Sequence, residues 1–138
     1  MKSLNILIFA YIINFFLQEE KLYMQIDFQD NFKNDTISIT FQNKILLENY
    51  ILNSDVVDGL TDLIIKFMKT NKKLEVFLSE KRKFLFAYSN TSKNHLIIKL
   101  NGKEKEMFIN LKKGRYLGVM KNEDKICITQ SELPFEYD

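Results

Sequence analysis

Carboxylates crowd two stretches of the chain: Asp27, Asp30 and Asp35, with Asn34, in the first, and Asp55, Asp58 and Asp62 in the second. Hard oxygen donors of this kind are what calcium takes, so two such loops at one end of a fold could surround an ion. Asp27, Asp30, Asp35, Asp55 and Asp58 are therefore the candidate ligands. The spacing lacks the fixed interval and glycine of an EF-hand loop, and Asp and Asn also favour turns because their side chains hydrogen-bond nearby backbone. Nothing in the sequence demands a cofactor.

Aromatic residues supply a second kind of chemistry. Tyr23, Tyr50, Phe77 and Phe108 stand out of phase with, or at the margin of, the apolar faces of their segments, as a platform for sugar rings or a partner protein would. The competing reading is that both faces of central strands are covered and these rings are core. Catalysis finds less support. The single histidine, His95, rules out a two-histidine zinc site, and no nucleophile elbow, phosphate loop or dinucleotide fingerprint is present. Cys127 alternates with Ile126 and Ile128 in a strand-like run and reads as a small apolar filler; as the only cysteine it forms no intrachain disulfide. A carboxylate pair for hydrolysis is not singled out by any spacing.

Twenty Lys/Arg against eighteen Asp/Glu give a net charge of +2, too balanced for a protein whose main partner is nucleic acid. Local basic clusters at Lys72–Lys73, Lys81–Lys83 and Lys112–Arg115 adjoin turn signals and read as solvated loops.

The elements that must position these groups are strands. Leu22, Met24, Ile26 and Phe28 alternate with Tyr23, Gln25, Asp27 and Gln29; Ile37, Ile39 and Phe41 alternate with Thr and Ser. Further strands are expected at 45–52, 60–68, 73–79, 83–89, 96–100, 106–111, 116–120 and 125–129, with a helix as the rival over 60–69. Asn101–Gly102 is the strongest hairpin signal, because both residues tolerate the positive φ of a primed turn. Ten short strands with only four glycines and one proline predict an all-β fold, an antiparallel β-sandwich of the immunoglobulin-like or transthyretin-like sort.

Ahead of that domain, Lys2 precedes a mostly apolar run from Leu4 to Leu17 that ends at Gln18–Glu19–Glu20. This basic start, apolar stretch and polar boundary read as a signal helix, and the run is shorter than the ~20 residues of a spanning helix. Residues 1–17 are expected to be a signal peptide or, uncleaved, an N-terminal membrane anchor; the bulky Phe15, Phe16 and Leu17 depart from the small residues preferred before a cut. A buried segment of a cytosolic domain is the third reading. Residues 18–138 then form one domain of about 120 residues. Two glycosylation sequons, Asn34–Asp35–Thr36 and Asn90–Thr91–Ser92, would matter only in a glycosylating pathway.

The segments Asp30–Ile39, Asn101–Lys103, Leu111–Gly118, Gln130–Ser131 and Pro134–Tyr137, with the Lys/Asn/Ile/Phe-rich composition, resemble small uncharacterised exported β-sandwich proteins of Bacteroidetes-type bacteria. The resemblance implies an exported β-sandwich and supplies no catalytic residues. Together these observations predict an exported, non-catalytic binding domain in the periplasm, at the cell surface or secreted, for a surface or extracellular protein or glycan. The alternatives are a membrane-tethered structural envelope component and a small carboxylate-dependent hydrolase. A calcium site at the acidic loops predicts a rise in melting temperature with millimolar calcium that Asp30→Ala or Asp55→Ala abolishes; turn chemistry alone predicts no rise.

Overall fold

The alternation that begins at Leu22 forms strand β1 (Lys21–Phe28) and the next forms β2 (Asp35–Phe41), with Met24, Ile26, Phe28, Ile37, Ile39 and Phe41 buried. Eight strands follow: β3 (Lys44–Leu52), β4 (Ile64–Thr70), β5 (Lys73–Leu78), β6 (Lys81–Ala87), β7 (His95–Leu100), β8 (Lys103–Phe108), β9 (Tyr116–Asn122) and β10 (Lys125–Ser131). A 3-10 turn over Leu111–Lys113 is the one helical element among the described residues. A computed structural model describes residues 20–88 and 93–137; the expected signal peptide or anchor and the Asn90 sequon lie outside them.

The strands make two mostly antiparallel sheets, one ordered β10-β9-β1-β4-β5-β6 and the other β3-β2-β7-β8. Both contribute to one hydrophobic core. Phe41, from β2 of the four-stranded sheet, lies 4.7 Å from Phe67 of β4 and 5.7 Å from Phe86 of β6, ring centre to ring centre, so the two layers interlock through aromatic contacts. Phe32 also joins the core, although it lies in a polar stretch that reads as loop.

The expectation of a wholly antiparallel arrangement needs one correction. β1 and β9 run parallel, with Gln25 opposite Tyr116 and Phe28 opposite Val119. Between them the chain twice leaves the six-stranded sheet to build the other, and it returns at the end of the sheet where β1 begins.

Tight turns set the hairpins. Asn101 and Gly102 have φ of 49° and 86°, as the sequence predicts, and the same left-handed pair recurs at Gln42–Asn43 and Ser79–Glu80 without glycine. The two-residue turn places Lys103 opposite Leu100, so β8 starts there and ends at Phe108, earlier than the expected 106–111. The segment from Leu60 is neither a helix nor a strand until Ile64. Thr61 Oγ1 donates to the Phe28 carbonyl at 2.6 Å and accepts the Leu63 amide at 3.2 Å, which holds the chain in a side-chain turn.

At the end of the molecule where β1 finishes, Asp35 is buried and fully satisfied. It accepts from Lys121 Nζ at 2.7 Å, Asn101 Nδ2 at 2.8 Å and the Lys33 amide at 2.8 Å. Burial pushes its carboxyl up, but these donors outweigh burial and hold it below the usual carboxylate value. The carboxylate therefore stabilises the fold at neutral pH, and that contribution disappears as pH falls through the lowered native value. Asp35→Ala should cost about 3 kcal/mol in urea unfolding at neutral pH, since it strands Lys121 and Asn101. The gap from wild type should narrow as pH drops below about 4, where the carboxylate of the unfolded chain is already protonated.

Candidate functional site

At the opposite end, where β1 begins, the ends of several strands surround an open groove of about 640 Å³. Its walls carry Lys21, Leu22 and Tyr23 from β1, Lys69 from β4, Tyr88 just past β6, Asn94 just before β7, and Ile109 to Lys112 with Arg115 between β8 and β9. Register explains the convergence: Lys21 of β1 pairs with Lys69 of β4, and β9, which follows Arg115, runs alongside β1.

The 109–115 segment is held in place by its own backbone and by two side chains, Asn110 and Gln130. Asn110 Oδ1 accepts the Lys112 amide at 3.1 Å to open the 3-10 turn, and the Gly114 amide closes it on the Leu111 carbonyl. Gln130 Nε2 then donates to the carbonyls of Asn110 and Gly114, at 2.8 and 2.7 Å, clamping the turn to β10. Gly114 is required here: its φ is 131°, and a Cβ would lie 2.2 Å from the Ser131 carbonyl oxygen.

Tyr23 forms the floor. Its hydroxyl donates to Asn94 Oδ1 at 2.6 Å, and its ring meets Tyr88 edge to face at 5.4 Å. Burial pushes the phenol above its ordinary value, the neighbouring Tyr88 adds to this, and Asn94 and Arg115 oppose it, so the group stays protonated and donating at neutral pH. Lys69 Nζ lies 4.1 Å over the Tyr88 ring, and Arg115 Nη1 donates to the Tyr23 carbonyl at 3.0 Å. Four cations, Lys21, Lys69, Lys112 and Arg115, thus line one groove with no carboxylate in its walls among the described residues. Asn94 and Asn110 both line the groove and have their side-chain oxygens engaged by the protein. The lining is rich in hydrogen-bond donors, as an oxygen-rich anion requires.

The residues singled out from sequence are scattered. Tyr23 is a correction: it is buried, because a bulge between Leu22 and Met24 turns two successive side chains inward. Tyr50, on edge strand β3, donates to Asp62 at 2.9 Å, and burial and that carboxylate raise its pKa. Phe77 is half-buried in β5. Phe108, 63% exposed on β8, stacks on His95, which contacts Glu106. The four rings form no shared platform.

Of the aspartates, Asp55 Oδ1 accepts the Val57 amide at 2.7 Å and Asp58 Oδ1 the Leu60 amide at 2.9 Å, both within their own loop. Asp30 packs against Gly59, where a Cβ would come within 2.1 Å of its Oδ1. Asp27 lies beneath the C-terminal tail, accepting from Tyr137 at 2.9 Å and Gln25 at 2.7 Å, while Tyr137 accepts from Gln29 at 2.8 Å. Burial and Asp27 push the Tyr137 hydroxyl up to about 12 despite Gln29. Among the described residues no three His, Cys, Asp or Glu gather as a metal-ligand group. Cys127 and His95 belong to different sheets.

Read singly, Lys112, Lys113 and Arg115 looked like a solvated loop; the groove arises only when the topology joins that loop to Lys21 and Lys69. No protein-family model, curated protein or solved structure matches the chain.

Proposed function

We infer that this chain is an exported, non-catalytic binding domain, an immunoglobulin-like or transthyretin-like β-sandwich that recognises a protein or glycan at the cell surface through the cationic groove. The carrying observation is the convergence of Lys21, Lys69, Lys112 and Arg115 on one concave surface without a carboxylate in its walls among the described residues. Unneutralised like charges in a concave site repel one another and raise a local positive potential, so the arrangement suits a ligand that brings negative charge. Two mostly antiparallel sheets with a chain that crosses repeatedly between them support the sandwich, and the apolar run 4–17 ahead of the domain supports export.

Two measurements test the two halves of this reading. Protein recovered from fractionated native cells should begin near Gln18 and lie outside the cytoplasm; full-length chain in the membrane fraction would instead favour the tethered component, and full-length soluble cytosolic chain would overturn export. In co-sedimentation with isolated cell envelopes at low ionic strength, Lys21→Glu/Lys112→Glu should lower apparent affinity by about tenfold or more, equivalent to ~1.4 kcal/mol, without a change in melting temperature. Undiminished binding by that variant would remove the groove from the account.

A further inference from the structure

We propose that the groove binds an acidic polysaccharide, seating the carboxylate or sulfate groups of the chain on Lys21, Lys69, Lys112 and Arg115 and its hydroxyl oxygens on Asn94 and Asn110. This deepens, and rests on, the reading of the groove as the binding surface. Three classes of polyanion could satisfy the four cations, and the geometry separates them.

An acidic peptide gains much of its affinity in a β-sheet protein by adding a strand to a free edge. The groove offers none at β1 and β4, which lie inside the six-stranded sheet, each hydrogen-bonded on both sides. A single-stranded nucleic acid needs open aromatic faces on which bases stack. Here Tyr23 is buried and the Lys69 ammonium covers a face of Tyr88, so the described lining offers no open pair of rings. What remains on offer is charge plus directed donors. With Oδ1 of Asn94 engaged by Tyr23 and Oδ1 of Asn110 by the Lys112 amide, the remaining side-chain polar atom of each of these lining residues is its Nδ2 donor. Acceptors at fixed positions between anionic groups are what the hydroxyl and ring oxygens of a uronic or sulfated sugar supply. Leu22, Ile109 and Leu111 complete the walls and suit the C–H faces of pyranose rings.

The test is titration of the full mature chain with polygalacturonate, dextran sulfate, unmodified dextran, poly-L-glutamate and oligo-deoxythymidylate, at matched anion concentration and low ionic strength. Polygalacturonate or dextran sulfate should bind at least about tenfold more tightly than poly-L-glutamate and the oligonucleotide, and dextran should not bind. Asn94→Asp and Asn110→Asp keep the oxygen that receives the Tyr23 hydroxyl or the Lys112 amide but replace donors with an acceptor. Each should weaken polysaccharide binding about tenfold with melting temperature unchanged, and should weaken binding more than Asn122→Asp, which adds the same charge outside the groove. Equal or tighter binding of poly-L-glutamate or the oligonucleotide, or equal losses in all three variants, would overturn the polysaccharide assignment while leaving a cationic binding groove. Failure of every polyanion to bind would overturn both.

Discussion

Because β1 is hydrogen-bonded on both sides, antiparallel to β4 and parallel to β9, it fixes the placement of both ends of the molecule at once. One face carries Met24, Ile26 and Phe28 into the core, while Asp27 on the other is closed in by Tyr137 and Gln25. Its first residues, Lys21 to Tyr23, form part of the cationic groove, and its last lead into Asp30 and the aspartate-rich loops. Eight residues of strand separate the two ends by about 25 Å. A shift of β1 by one residue would expose its apolar set and dismantle the groove together.

That separation gives the nearly balanced charge of the chain a direction. A net charge of +2 says little about partners when averaged over the surface. Segregated, it leaves the groove lined by four cations while aspartates concentrate about three Debye lengths away, too far to neutralise them in physiological salt. The acidic end is also consumed internally: Asp35 by Lys121 and Asn101, Asp55 and Asp58 by their own loop amides. Tyr23, at the floor of the groove, engages two of its lining residues, through its hydroxyl to Asn94 and its carbonyl from Arg115.

Local chemistry was legible in the sequence and long-range pairing was not. The strand periodicity of β1 and β2 and the Asn101–Gly102 turn are local signals; both strands and the turn form, and β2 alternates in burial as read. Tyr23 defeats the alternation because a bulge places it and Met24 inward in succession, and a bulge leaves no mark on residue type. Phe32 is buried from within a polar loop whose composition points outward. The pairing of 25–28 with 116–119 spans most of the chain and has no local determinant. The groove inherits that difficulty, since its cations come from separate strands and loops, each of which alone resembles an ordinary solvated turn.

The most direct test of the central claim is a map of backbone amide shifts by nuclear magnetic resonance as galacturonate oligosaccharide is added to the protein. Binding at the groove predicts perturbations clustered on residues 21–23, 69, 88, 94 and 109–115, with the Asp30 and Asp55 loops unmoved. Perturbations centred on those acidic loops or on a sheet edge, or none anywhere at millimolar ligand, would contradict the account.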